Sequence, residues 1–389
     1  MRVSLAPRRI APSGAPPRSP FARADADVAL GWRRGALAEP IRPGPSTLFG
    51  PRGAALHPDR SLWVCDTGHH RLLGWRTVPT ADDAPADVLV GQPDFAREGR
   101  NAKAAPTAAT LNVPTGICAW GEGLAVADAW NHRVLLWRRT PTRDNQPADI
   151  VLGQADASST LANRGADRPD AATLHWPYGV ASDGRALWVA DSGNRRVLHW
   201  SDPEATGQPA DFVLGHSRFD TRDENDGAAV GPHSMRWPHA IASWNGRLAI
   251  ADAGNNRVMV WDARPTTNGA PCDHAIGQAD FAACDHNRGH YAPTAAALNM
   301  PYALAGGARL LVADTANSRL LAFDGAATGA PAAALAGQPH FSAKGDNGWG
   351  EASRASLCWP YGLSRLGSRL AVADSGNNRV LLFTLAEGA

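Results

Sequence analysis

Lysine is almost missing from this chain: 38 residues are basic, yet only Lys103 and Lys344 are not arginine. Acidic residues number 37, so the formal net charge is +1. Such a balance gives no overall field to draw in nucleic acid or an anionic membrane surface, and neither is expected as a partner. No run of about 18 apolar residues occurs, so no membrane-spanning helix is expected. The first residues, MRVSLAPRRIAPSGAPPRSPFARADAD, lack the apolar centre of a secretory leader. Residues 1–26 are expected to be a disordered Arg/Pro-rich tail, and 27–389 a single domain. The five cysteines (65, 118, 272, 284 and 358) form no CxxC spacing, which fits a reduced, cytoplasmic protein. No phosphate loop, HExxH pair or Ser-His-Asp order is present.

What the chain has instead is repetition. WVCDTGHHRLLGW, AVADAWNHRVLLW, WVADSGNRRVLHW, AIADAGNNRVMVW, LVADTANSRLLAF and AVADSGNNRVLLF place an aspartate at 66, 128, 191, 252, 314 and 374, a period of 60–63 residues. An arginine follows each five residues later, and a Trp or Phe nine residues later. Before each copy stands a proline (51, 114, 177, 238, 301, 360) with Gly or Ala two residues on. After five of the copies comes a segment such as VLVGQPDF, then an asparagine at 101, 163, 225, 287 or 347.

Each unit therefore reads as four short strands: PxGIA, LWVAD, RVLLW and ADFVLG. The turn between the second and third has the Gly/Asn chemistry that admits positive φ. Four-stranded units repeated around a circle predict an all-β, six-bladed β-propeller of antiparallel blades. The sixth copy stops after its third strand, and DVALG at 27–31 lies one period before DVLVG at 87–91. The N-terminal strand is thus expected to complete the last blade.

The tandem pattern LxxPxG…LxVADsgNxRV resembles the NHL repeat of bacterial NHL repeat-containing six-bladed propellers, over residues 27 to 385. That resemblance implies architecture more than activity, because propellers host many unrelated functions. It also points to one position. A zinc-dependent peptide-amidating lyase of this family carries its histidine ligands just after the first-strand proline, on alternate blades. Here that position holds Arg52, Thr115, Tyr178, His239, Tyr302 and Tyr361. One histidine with a threonine and a tyrosine on the alternating blades does not make a zinc site.

The residues before the prolines include Trp176, Trp237 and Trp359. Strand alternation would put them on the same side as the residues after the prolines. One mouth of the channel would then be ringed by Arg52, Trp176, Tyr178, Trp237, His239, Tyr302, Trp359 and Tyr361, either as an aromatic ligand pocket or as a plug. The segment PCDHAIGQADFAACDHNRGHY offers Cys284, His286 and His290 as the alternative metal candidates, at a spacing that matches no standard finger.

The Asp–Arg pairs are expected to be structural, the aspartate accepting from turn N–H groups and from arginine. The recurrent Gln and Asn should bond loop backbone between blades. The functional expectation is a monomeric, non-enzymatic scaffold that binds a protein partner or small ligand at the loop-bearing face and channel mouth, with no cofactor. The alternative is a lyase- or hydrolase-type enzyme with His239 as acid–base group, assisted by Tyr302 or Tyr361.

Overall fold

The computed structural model describes residues 17–31 and 41–388. Six four-stranded antiparallel sheets follow one another around a ring. Blade 1 runs outward through Gly53–Leu56, Leu62–Asp66, Arg71–Trp75 and Val88–Val90. Blades 2 to 5 repeat it, with innermost strands Pro114–Trp120, Pro177–Ser182, Pro238–Trp244 and Pro301–Ala305. Blade 6 has three strands from the C-terminal end of the chain, Pro360–Leu366, Arg369–Asp374 and Arg379–Thr384. Its outermost strand is Val28–Leu30, paired as Val28 with Leu382 and Leu30 with Val380, as DVALG predicts. No helix among the described residues is long and apolar enough to cross a membrane.

The apolar core is divided among the six gaps between blades rather than gathered at the centre. The aromatic nine residues after each aspartate fills the gap toward the preceding blade: Trp137 packs in the cluster of blades 1 and 2, and Trp200 in that of blades 2 and 3. In blades 1 to 4 its indole N–H also donates to a carbonyl of the following loop, at 2.9–3.1 Å. A large buried ring thereby keeps its polar edge satisfied.

Residues 17–26, expected as part of the tail, pack against the seam between blades 5 and 6. The Leu335 N–H donates to the Arg18 carbonyl and the Ala386 N–H to that of Pro20. Phe21 is buried, with its ring stacked 4.0 Å from that of Phe383. Burial of this aromatic supplies the apolar surface that composition alone does not suggest. Residues 1–16 lie outside the described residues.

Each hairpin turn is organised by its buried Asp–Arg pair. One carboxylate oxygen accepts from the arginine Nε at 2.6–3.1 Å. The other accepts, at 2.6–2.9 Å, a backbone N–H from the loop that enters the blade, rather than from the turn. The guanidinium donates to two more carbonyls of that entering loop; Arg133, for example, reaches Thr107 and Thr110. In blades 1 to 5 it also donates to a carbonyl of the loop that leaves, as Arg71 does to Phe95.

The recurrent asparagines behave differently from expectation. They pair side chain to side chain with the asparagine of the next blade's turn: Asn131 donates to Asn101, Asn194 to Asn163 and Asn317 to Asn287, at 2.7–2.8 Å. The loop asparagines sit at positive φ, which turns their amides inward toward that partner. Gln92, Gln154, Gln278 and Gln338 do bond backbone, but each donates to the turn of its own blade and to the loop that follows. His216 replaces the glutamine in blade 3, linking the Asn194 carbonyl to Asp226.

Positive φ in the turns falls two residues later than the glycines, at His70, His132, Arg195, Asn256, Ser318 and Asn378. The preceding glycines answer a different need. A Cβ on Gly193 would lie 2.4 Å from the His175 carbonyl oxygen, and one on Gly68 would lie 2.4 Å from the Phe49 ring.

The side chain at the left-handed position has its own task. His70, His132, Asn256, Ser318 and Asn378 each accept the N–H of the residue before the next blade's proline, at 2.8–3.3 Å. A histidine can accept there only as the neutral imidazole. Burial pushes His70 and His132 down to about 4, with the Arg100 charge adding to the first and His175 to the second.

Two predictions follow from these contacts. Asp252→Ala leaves the buried Arg257 without its carboxylate and should lower stability by about 3–5 kcal/mol in denaturant unfolding. A depressed histidine pKa contributes stability that is complete above the unfolded value near 6.5 and is lost as pH falls toward about 4. The melting temperature should therefore drop across that window. The His70→Asn, His132→Asn double variant should flatten the drop while keeping its stability at pH 7, because Asn256 and Asn378 already do the same job.

Candidate functional site

The residues after the prolines line the propeller axis. The inner strands meet backbone to backbone just beyond them: a Cβ on Gly179 would lie 2.1 Å from the His239 carbonyl oxygen, and one on Gly116 2.5 Å from that of Tyr178. Glycine in the PxG motif thus sets how tightly the strands close on the axis.

At this level the side chains form a collar. Tyr178 and His239 have ring centres 4.6 Å apart, His239 and Tyr302 stack at 4.0 Å with 14° between planes, and Tyr302 and Tyr361 are 4.7 Å apart. The Arg52 guanidinium closes the circuit, 4.9 Å from the Tyr361 ring centre and 6.0 Å from that of Tyr178. The sixth position, Thr115, turns away and donates to the Tyr178 carbonyl at 2.9 Å. Next to the collar the axis holds a cavity of about 300 Å³, lined by the inner strands and reaching Ser182, Ser243 and Arg365.

The electrostatics follow from burial. His239 is pushed down to about 3 by loss of water and then by the Arg52 charge, so it is neutral at all ordinary pH. Its Nε2 has no hydrogen-bond partner among the described residues. Burial, then the neighbouring Tyr361, holds the Tyr302 phenol well above its usual range, and burial raises Tyr361 too. The Tyr302 hydroxyl faces the Met300 sulfur at 4.0 Å.

The tryptophans before the prolines do not share the collar's side as strand alternation implies. Gly50, Val113, Trp176, Met300 and Trp359 are all at positive φ, so the strand begins only at the proline. Trp176 is exposed and packs on His175 and His132 on the outer face. Trp359 is half-buried and makes no ring contact with the collar among the described residues.

Trp237 is the exception: it is not at positive φ, and its indole stands 5.3 Å from His239 and 6.5 Å from Tyr302. The preceding blade supplies the reason. Its turn carries Arg195, a side chain with donors and no acceptor, where the others offer an acceptor. The Trp237 N–H goes to Asp252 instead, at 3.2 Å. The structure thus brings together Arg52, Tyr178, Trp237, His239, Tyr302 and Tyr361, and leaves Trp176 and Trp359 outside. The far end of the cavity, with Arg365, went unread in the sequence. Arg195 could have been found by comparing the six turns position by position.

The metal candidates do not converge. His286 and His290 are exposed, and Cys284 holds the loop through its carbonyl, which accepts from Asn256 at 2.9 Å. Among the described residues, no group of three or more His, Cys, Asp or Glu side chains is placed to hold a metal ion.

No family model matches the chain. NHL repeat-containing protein 2 of Bos taurus is 25% identical over 249 residues, which is 59% of this chain and 32% of that protein. The match therefore spans about a third of the curated relative's length. Solved structures similar to this chain include a catalytically inactive virginiamycin B lyase from Staphylococcus aureus with quinupristin, at 12% identity and a TM-score of 0.43 over 88% of this chain and 82% of that one. A streptogramin B lyase gives 12% identity and a TM-score of 0.45 over 90% and 97%. With the phased proline, Asp–Arg and Gly-Gln signals and the ring of six sheets, this chain is a six-bladed β-propeller, and its repeats are similar to those of an NHL repeat-containing protein.

Proposed function

We propose that this chain is a non-enzymatic binding propeller whose loop-bearing face engages a protein partner. The observation that carries the reading is where its exposed apolar side chains lie. Eight large hydrophobic residues are exposed among the described residues, and seven belong to the loops and turns of one face. Phe49, Trp176 and Trp237 stand beside the strand-opening prolines and Trp130 in a hairpin turn, while Leu161, Tyr291 and Trp349 lie on the loops between blades. Only Leu366 is on the opposite face.

Tryptophan and tyrosine dominate protein interfaces because they bury large area at little entropic cost. An apolar set gathered on one face of a small-edged ring suits a partner that presents aliphatic and aromatic side chains. Two of the rings carry a cation overhead, Arg100 at 4.9 Å from the Trp130 centre and Lys344 at 3.7 Å from that of Tyr291. These give a polar rim to the apolar anchors.

The collar favours binding over proton transfer. A catalytic acid or base works best with a pKa near the working pH. Burial takes His239 far below that range and Tyr302 far above it.

The test is the affinity of an isolated protein partner for full-length chain. Trp176→Ala and Trp237→Ala should each weaken it by about tenfold or more, as truncation of a hot-spot aromatic does. Leu366→Ala should leave it unchanged. Affinity that responds to Leu366→Ala and ignores both tryptophans would place the partner elsewhere and refute the reading.

A further inference from the structure

The charges around the axial cavity are one-sided. Arg52 and Arg365 line it, and among the described residues no aspartate or glutamate does. The Arg52 guanidinium makes no ion pair with any described carboxylate; it lies against the faces of Tyr361 and Tyr178. At the other end, Arg365 bonds the Gly367 carbonyl through Nε at 3.0 Å, and its Nη1 is buried without a partner. A half-enclosed cation that lacks a counter-charge is costly, and a ligand anion would relieve that cost.

A second observation comes from the collar. His239 is 5% exposed, and its Nε2 is buried with no hydrogen-bond partner among the described residues. A buried polar atom of this kind is rare unless water or a ligand completes it. Between the two arginines the wall carries an apolar belt of Ile117, Val180, Ala240, Ala303 and Leu363, with the hydroxyls of Ser182, Ser243 and Ser364 also lining the cavity.

We propose that the axial cavity is a binding site for a small organic carboxylate, its acid group on Arg52 and its second polar contact at His239 Nε2. The guanidinium fork matches a carboxylate in two parallel hydrogen bonds. One guanidinium and one neutral imidazole suit a single negative charge and fall short of the donors a phosphate dianion takes. The apolar belt takes a short hydrocarbon or aromatic body, and Arg365 adds positive potential at the far end. A volume of about 300 Å³ is at the small end of ligand sites, so the molecule is a metabolite-sized acid rather than a peptide. The site shares only Trp237, which stands against His239, with the apolar outer face, so Trp176→Ala lets the two fail separately.

The experiment is calorimetric titration of the full-length chain with benzoate, benzamide and inorganic phosphate as probes. Benzoate should bind, with benzamide and phosphate at least about tenfold weaker. Arg52→Gln should weaken benzoate by about tenfold or more, and His239→Phe, which keeps the stacked ring and removes the nitrogen, by several-fold. Trp176→Ala, which tests the face, should leave benzoate unaffected. Benzoate should also shift the ring resonances of Tyr178 and Tyr361 in the unaltered protein, a readout that stands even where a variant folds poorly. No saturation by about 10 mM benzoate overturns the proposal, as does equal affinity for benzamide or phosphate. So does indifference to Arg52→Gln, or ring shifts confined to residues outside the collar.

Discussion

The rest of this structure depends on one contact, the buried ion pair between the aspartate that ends each second strand and the arginine that opens the third. Both side chains are wholly enclosed in every blade. A guanidinium in that setting needs all its donors matched, because burial strips it of water. Its own aspartate takes one N–H, and in blades 1 to 5 loop carbonyls take three more, as for Arg133. The loop between blades 1 and 2 shows the result: Arg71 of the blade behind grips it at Phe95, and Arg133 of the blade ahead grips it at Thr107 and Thr110. Connections of this length without regular structure are uncommon in compact domains. Here they are ordered because each is held at both ends by arginines of different blades. The ion pair adds little net stability by itself. It fixes which loop conformation the ring can close with, and every site on that face inherits the geometry.

How far this was legible in the sequence depends on whether a residue acts within its own repeat. The proline, aspartate, arginine and aromatic positions recur in phase, and the blades and the closing strand at Val28–Leu30 could be read from them directly. Contacts between repeats were not legible in the same way. Asn101 and Asn131 each look like an ordinary turn asparagine, and only the juxtaposition of adjacent blades makes them a pair. Strand alternation puts the tryptophans beside the prolines on the collar's side. That rule fails because an N–H bond to the neighbouring blade's turn pulls the residue into positive φ. Even Val113, a β-branched residue, takes that conformation when His70 waits to accept its N–H. Phe21 is illegible for a related reason: its partner Phe383 lies at the other end of the chain.

Identical repeats make a frame, and the places where they differ make a site. At the left-handed turn position five residues accept a hydrogen bond, and Arg195 cannot. The consequence appears in the next blade, where Trp237 leaves the common conformation and stands over His239. At the position after the proline, Thr115 is small and bonded to backbone, which leaves a gap in the aromatic circuit between Arg52 and Tyr178. Two substitutions in blades 2 and 3 therefore break the symmetry of the axis in opposite directions. One opens space beside the arginine, and the other adds an indole beside the histidine.

Along the axis, stacked rings and open space occur at different levels. At the level of the prolines the axis is filled, with His239 stacked on Tyr302 at 4.0 Å and a tyrosine on either side. Next to that level the glycines and alanines of the inner strands leave room, and the cavity continues to Arg365. The aromatic residues thus act as one wall of a chamber. A wall of stacked rings is rigid, excludes water, and keeps His239 uncharged. It also leaves Arg52 as the collar's single fixed charge, held against two ring faces whose negative potential steadies the cation without neutralising it. Rings in place of carboxylates around that arginine leave its charge without a counter-ion beside the chamber, and this is the feature on which the proposed carboxylate site rests.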